Sequence, residues 1–281
     1  MAAMGGRRTD SADSYGDEPG IGLAFRQSGL CGGGGQRSSA FIGSKVGPGG
    51  LPWPLGFNES QAQVRGIVAN YSCGGHVDLV LIHWPTNYGP CSYPGPKPSI
   101  PTTDPLCDTA RPEYSGSGCR VSTWKGLIAT WRAGLTRAIG VSNFNTTHLK
   151  ELKAAGLTLP AVNQVAWFPG IYNRTQGGDS PRNTETFGEL LAWCRTHGVL
   201  VNGYSPFQGP GGAGKMFADP ALKKIAARHS TSPAQVVLNW HYQLGIATNP
   251  MATLGSTSPL TRYSCSIFGS PAPSNLNRRW W

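Results

Sequence analysis

Residues 40–46 read AFIGSKV, residues 58–71 read NESQAQVRGIVANY, and residues 77–83 read VDLVLIH. The first and third are short apolar runs rich in β-branched residues; Lys45 sits near the end of the first, and His83 closes the third. The middle segment has helix length and an amphipathic spacing. Together they predict a strand, a helix and a second strand, and strands that run parallel need a crossover of this kind. The alternation continues outward. Strands are expected at 137–141, 161–165, 199–204 and, more weakly, 245–248, with helices over 18–28, 122–135, 146–155, 184–197, 220–229 and 233–244. Asn58 followed by Glu and Ser, Asp219 before Pro220, and Ser232 before Pro233 act as helix start signals.

Repeated βα units give a parallel sheet, either open and doubly wound or closed into a barrel. A dinucleotide-binding open sheet usually carries Gly-x-Gly-x-x-Gly after its first strand, and no such turn occurs here. The fold class expected is therefore α/β, a (β/α)8 TIM-barrel type. Residues 1–254 are expected to form it, with a Pro-, Gly- and Cys-rich long loop at 86–120 and an irregular C-terminal tail at 255–281.

Gly and Pro number 39 and 23 of 281 residues, an excess without a three-residue period, which excludes a collagen-like chain. The net charge of +10 comes from scarce carboxylates and is spread along the chain. It forms no nucleic-acid stripe and suits a phosphate-bearing small ligand. No apolar stretch reads as a membrane span or a secretory signal, so a cytoplasmic setting and free thiols are expected for the seven cysteines, none of which are spaced Cys-x-x-Cys. The expected partner is a small molecule, with no nucleic acid and no membrane, and the chain is expected to be a monomer.

Reactive groups of barrel enzymes stand at the C-terminal ends of strands. That rule selects Lys45 and His83. Asp10 and Tyr15, just before a predicted helix at Glu18, fall at a matching interval, so Asp, Tyr, Lys and His come from three consecutive units. A tyrosine with an unperturbed pKa near 10 is a weak acid. A neighbouring ammonium is expected to lower it, with a carboxylate holding the lysine, and a histidine can orient a carbonyl oxygen. Read singly, Lys45 is a strand-end charge and His83 a core histidine.

The residues resemble a known family, the aldo-keto reductases. Gly5-Gly6-Arg7-Arg8-Thr9-Asp10-Ser11-Ala12, with Tyr15, Glu18 and Gly22, looks like its first signature. Leu127, then Arg137-Ala138-Ile139-Gly140-Val141-Ser142-Asn143-Phe144, matches the second, and Asn163-Gln164 and Gly203-Tyr204-Ser205-Pro206 look like two further landmarks. The resemblance implies a barrel whose first βα unit is missing from this chain and NADPH-dependent reduction of a carbonyl, with NADH as the other possible donor. It implies Tyr15 as general acid, Asp10 and Lys45 as its activating pair, His83 as the orienting group and Trp84 on the substrate wall. Ser142, Asn143 and Gln164 would bind the nicotinamide carboxamide, and Tyr204, followed by Ser205, would stack on its ring.

The family's third signature, with basic residues that hold a 2′-phosphate, is absent from Thr248-Asn249-Pro250-Met251 onward, and Ala166 replaces the usual Glu after Asn-Gln. A catalytically impaired or non-catalytic barrel derivative with weak dinucleotide binding is the competing reading. Ser142-Asn143 could also be only a helix N-cap, and Tyr204 only a strand-end aromatic. Gly209 to Lys215 resembles a P-loop, but Met216 stands where Ser or Thr should bind magnesium, and the next helix is expected at Asp219-Pro220. As a loop, that segment is expected to close over a cofactor pyrophosphate.

Overall fold

A computed structural model of the chain describes residues 7–31, 39–47, 55–85, 102–107, 116–171, 185–208 and 212–250. The tail at 255–281 and most of the loop at 86–120 lie outside these. The described residues fall into two compact units, those within Met1–Val165 and Asn173–Leu200 and those within Ala166–Tyr172 and Val201–Trp281.

In the first unit the strands β1 (Arg8–Asp10), β2 (Phe41–Val46), β3 (Val77–Ile82), β4 (Thr136–Ser142) and β5 (Val162–Ala166) alternate with helices α1 (Glu18–Gln27), α2 (Phe57–Tyr71), α3 (Ser117–Arg132) and α4 (Thr146–Ala154). Helix α5 (Phe187–Thr196) follows. From β1 to β5, each strand pairs in parallel with the next in chain order. Leu79, Leu81 and Val162 form a buried apolar cluster, with Phe41, Ala138, Ala161 and Leu200 packed against it. These side chains alternate along their strands, as a sheet face filled by every second residue requires.

Local chemistry fixes the helix starts. Asn145 caps α4 reciprocally with His148, and Thr186 caps α5 with Glu189. The capping role proposed for Ser142-Asn143 thus belongs to Asn145. Helix α2 begins at Phe57 after Gly56, with no side-chain cap, so the expected Asn58 signal is off by a residue. Gly22 of α1 meets the backbone carbonyl of Tyr71 so closely that a Cβ there would overlap it.

Three expectations are corrected. Strand β1 is missed because it is three residues long and polar. Helix α3 starts at Ser117, five residues before the expected Ser122, because its first turn is tied down: Cys119 is disulfide-bonded to Cys107, and the Thr123 hydroxyl donates to the Cys119 carbonyl at 2.9 Å. Free thiols throughout were expected, but Cys31 also pairs with Cys73, leaving Cys194 as the free, buried cysteine among the described residues. Cys91 and Cys265 lie outside them.

The second unit holds β6 (Leu200–Tyr204), α6 (Gly212–Ala218), α7 (Pro220–Arg228), α8 (Pro233–Gln243) and β7 (Ala247–Asn249), with β6 and β7 parallel. Asp219 and Ser232 cap α7 and α8 ahead of Pro220 and Pro233, as their sequences predict. Helix α6 is unforeseen: it starts inside the glycine-rich stretch, and residues 209–211, part of the loop expected over a pyrophosphate, lie outside the described residues.

Candidate active site

Parallel pairing in chain order collects the C-terminal strand ends of the first unit along one edge. Asp10 pairs with Gly43, Lys45 with Leu81, Ile82 with Val141, and Ser142 with Gln164. His83 follows directly, its N–H donating to the Val46 carbonyl at 2.8 Å. Polar residues that look scattered in sequence therefore become neighbours.

Lys45 Nζ lies 2.9 Å from Asp10 Oδ2 and donates to the Ser11 carbonyl at 2.7 Å. The Lys45 side chain is only 3% exposed, so its ammonium depends on these two acceptors. Gln164 Nε2 donates to the other Asp10 oxygen at 2.9 Å. Both oxygens of this carboxylate are thereby oriented, which ties β1 and β2 to β5.

Tyr15 ends a single 3-10 turn, Asp13–Tyr15, that follows β1. Its hydroxyl oxygen stands 3.3 Å from His83 Nε2, and its ring centroid is 5.5 Å from Lys45 Nζ. The expected downward pull of the ammonium on the phenol is not what results. Burial raises the Tyr15 pKa above its ordinary 10, and the Asp10 and Asp17 carboxylates push the same way. The physical reason is first desolvation, which disfavours the charged phenolate, and then the two carboxylates, whose like charge disfavours it further. Tyr15 is thus a neutral, proton-bearing acid at physiological pH.

Burial, then the Lys45 charge, lowers the His83 pKa to about 3, so its imidazole is neutral. Its carbonyl accepts from Asn143 Nδ2 at 3.0 Å, and the Trp84 ring stacks beside its own at 6.4 Å between centroids. Asn143 has φ 62°, a left-handed conformation that asparagine tolerates. Its N–H and the Ser142 hydroxyl both donate to the Gln164 carbonyl, each at 2.8 Å. Asn143 Nδ2 also reaches Ser142 Oγ at 3.1 Å. Asp10, Tyr15, Lys45, His83, Trp84, Ser142, Asn143 and Gln164 therefore form one connected group.

In the second unit, Tyr204 closes β6 and is half-buried, its carbonyl accepting from the Trp167 N–H at 3.0 Å. Ser205 follows at φ 50°, and its carbonyl accepts from the Gln208 N–H at 2.9 Å, so it turns the chain. Sequence reasoning missed Ser11, whose carbonyl holds Lys45, and Asp17, which acts on Tyr15. Their adjacency to Asp10 and Glu18 is the only sequence signal for either. Among the described residues, no group of three or more His, Cys, Asp or Glu could hold a metal, and no helix is long and apolar enough to cross a membrane.

The model of the Aldo/keto reductase family matches residues 1–276. The chain belongs to the aldo/keto reductase family. A curated relative, an aldo-keto reductase of Mycolicibacterium vanbaalenii, is 31% identical over 247 residues, covering 87% of this chain and 68% of the relative. A glyoxal reductase of Bacillus subtilis is 28% identical over 251 residues, covering 88% and 68%. A crystal structure of the Bombyx mori aldo-keto reductase AKR2E5, complexed with NADPH, is 26% identical with a TM-score of 0.71, covering 96% of this chain and 72% of that one. The α/β, (β/α)8-barrel class read from the sequence is thus the fold of this aldo/keto reductase chain, a homologue of NAD(P)-dependent oxidoreductases.

Proposed function

We propose that this chain reduces an aldehyde or ketone to an alcohol, with Tyr15 as the general acid and NADPH as the hydride donor. The observation that carries the proposal is the 3.3 Å separation of the Tyr15 hydroxyl from His83 Nε2. Two polar groups that close can both reach one carbonyl oxygen at ordinary hydrogen-bond distances of roughly 2.7–3.0 Å. Tyr15 transfers its proton to that oxygen as charge develops there, and the neutral His83 orients it. Lys45, held in place by Asp10 and the Ser11 carbonyl, stabilises the phenolate that remains. Tyr15 is 53% exposed, so the phenolate regains a proton from water after turnover.

The residues present suit the nicotinamide end of the cofactor. Gln164 spends one amide hydrogen on Asp10 and, as an amide nitrogen carries two, keeps a second donor beside its carbonyl oxygen. That pairing matches the donor and acceptor of a carboxamide. Ser142 and Asn143 would line the same contact. When bound, the dinucleotide supplies the hydride to the carbonyl carbon. NADH is the alternative donor, because 248–251 reads TNPM and offers no basic group for a 2′-phosphate.

Oxidation of NADPH in the presence of nitrobenzaldehyde, compared between the chain and its Tyr15→Phe variant, tests the proposal. Turnover in the first and background in the second are expected; background in both would leave the non-catalytic reading. A monomeric state is proposed as well, to be read from light scattering. A cytoplasmic location is a further proposal, and the two disulfides weigh against it, because such bonds persist in oxidising compartments.

A further inference from the structure

We infer that Arg120 is a positioning residue that fixes the Trp84-Pro85 segment and so sets the substrate wall. The inference rests on the carbonyl-reducing reading of the site. Arg120 lies in the first turn of α3 and is 7% exposed. Its Nε and Nη2 donate to the two Glu151 carboxylate oxygens of α4, at 2.7 and 2.8 Å, in a two-pronged pair. The fork leaves Nη1 facing the Pro85 carbonyl, to which it donates at 3.2 Å.

The backbone after β3 is thereby tethered on both sides of Trp84. His83 presents its carbonyl to Asn143, and Pro85 presents its carbonyl to Arg120. Proline has no N–H, so this carbonyl is the only backbone handle at position 85. The neighbouring Cys119 is bound to Cys107, which fixes the start of α3 and with it the Arg120 backbone. His148, packed nearby, stays neutral through burial and the Arg120 charge, and so does not compete for Glu151. A lysine could not replace this arrangement, because a single ammonium does not span the Glu151 carboxylate and the Pro85 carbonyl with a planar fork.

The test uses the full chain with Arg120→Met, Arg120→Lys and Glu151→Gln, each also made in a Trp84→Phe background so that quenching of Trp84 fluorescence is read by difference. In Arg120→Met, Trp84 should become about threefold more accessible to acrylamide. KM for nitrobenzaldehyde should rise about tenfold, with kcat within about threefold and KM for acetaldehyde nearly unchanged. Arg120→Lys should recover little of this loss, and Glu151→Gln should fall between.

Unchanged Trp84 quenching would overturn the inference. So would a matched collapse of kcat and KM for both aldehydes together with a lowered melting temperature, which marks a purely structural role. If the parent chain reduces neither aldehyde, the proposed function fails on its own account, and the quenching comparison still decides whether Arg120 holds Trp84.

Discussion

The hydroxyl oxygen of Tyr15 lies 3.3 Å from Nε2 of His83, and the two groups carry opposite pKa shifts: the phenol is raised and the imidazole is lowered to about 3. Across the neutral range the first therefore bears its proton and the second bears no charge. The pH profile of reduction should then be flat from about pH 5 to 9. It should fall only in alkali, as Tyr15 loses its proton above the ordinary value of about 10. An inflection near 6.5 that disappears in His83→Gln would contradict this assignment.

Lys45→Met should cost stability as well as activity. The substitution removes the ammonium that Asp10 contacts at 2.9 Å, leaving that carboxylate with Gln164 as its charge-free partner. Breaking a buried pair from one side costs about 3–5 kcal/mol, and the partial exposure of Asp10 places this case at the lower end. Urea denaturation measures it; a loss below about 1 kcal/mol would show that the pair is not a structural element.

The two disulfides should differ in their effect. Cys31–Cys73 closes a sequence separation of 42 residues, and Cys107–Cys119 one of 12. In the chain-entropy account, removing the first costs about 4 kcal/mol and removing the second about 3. Paired Cys→Ser variants, unfolded side by side in urea, give the order directly. A larger loss for the shorter loop would show that native contacts, not unfolded-chain entropy, dominate.

Acid should destabilise the fold before it reaches the carboxylate range. Burial lowers His148 to about 3 and His241 to about 4, against an ordinary value near 6.5. As pH falls below about 6.5, the unfolded chain gains protons at these positions that the folded chain takes up only near 3 to 4. Stability therefore falls with pH in that window, by up to about 1.4 kcal/mol per unit for each histidine. Glu18, raised by burial, acts in the opposite sense, because the folded form takes its proton first as pH drops. Urea midpoints at pH 5 and pH 7 should therefore separate widely in the parent and less in His241→Gln. Equal separations would refute the histidine account.

Much of the scaffold was legible because apolar period and capping chemistry act locally. The runs at 40–46 and 77–83 are strands to within a residue, and Ser232 and Asp219 start their helices as read. The grouping of Asp10, Tyr15, Lys45 and His83 was legible because parallel strands paired in chain order bring their C-terminal ends together. What sequence did not show depends on contacts between distant segments. Cys107 and Cys119 pair across a stretch whose composition reads only as loop, and that pairing lengthens α3 by a turn. Arg120 acquires its role from Glu151 and Pro85, 31 and 35 residues away, with no motif linking them. The direction of the Tyr15 shift is not legible in sequence, because it is set first by how far folding desolvates the phenol and then by the Asp10 and Asp17 carboxylates that folding brings near it.

The central claim is that Tyr15 donates the proton to the substrate oxygen. The most direct measurement is the single-turnover rate of NADPH oxidation with nitrobenzaldehyde in Tyr15→Phe, which removes one hydroxyl and leaves the ring in place. The account predicts a rate at least about a hundredfold below that of the parent chain, the span usual for a lost general acid, with NADPH affinity unchanged. A rate within threefold of the parent would contradict it.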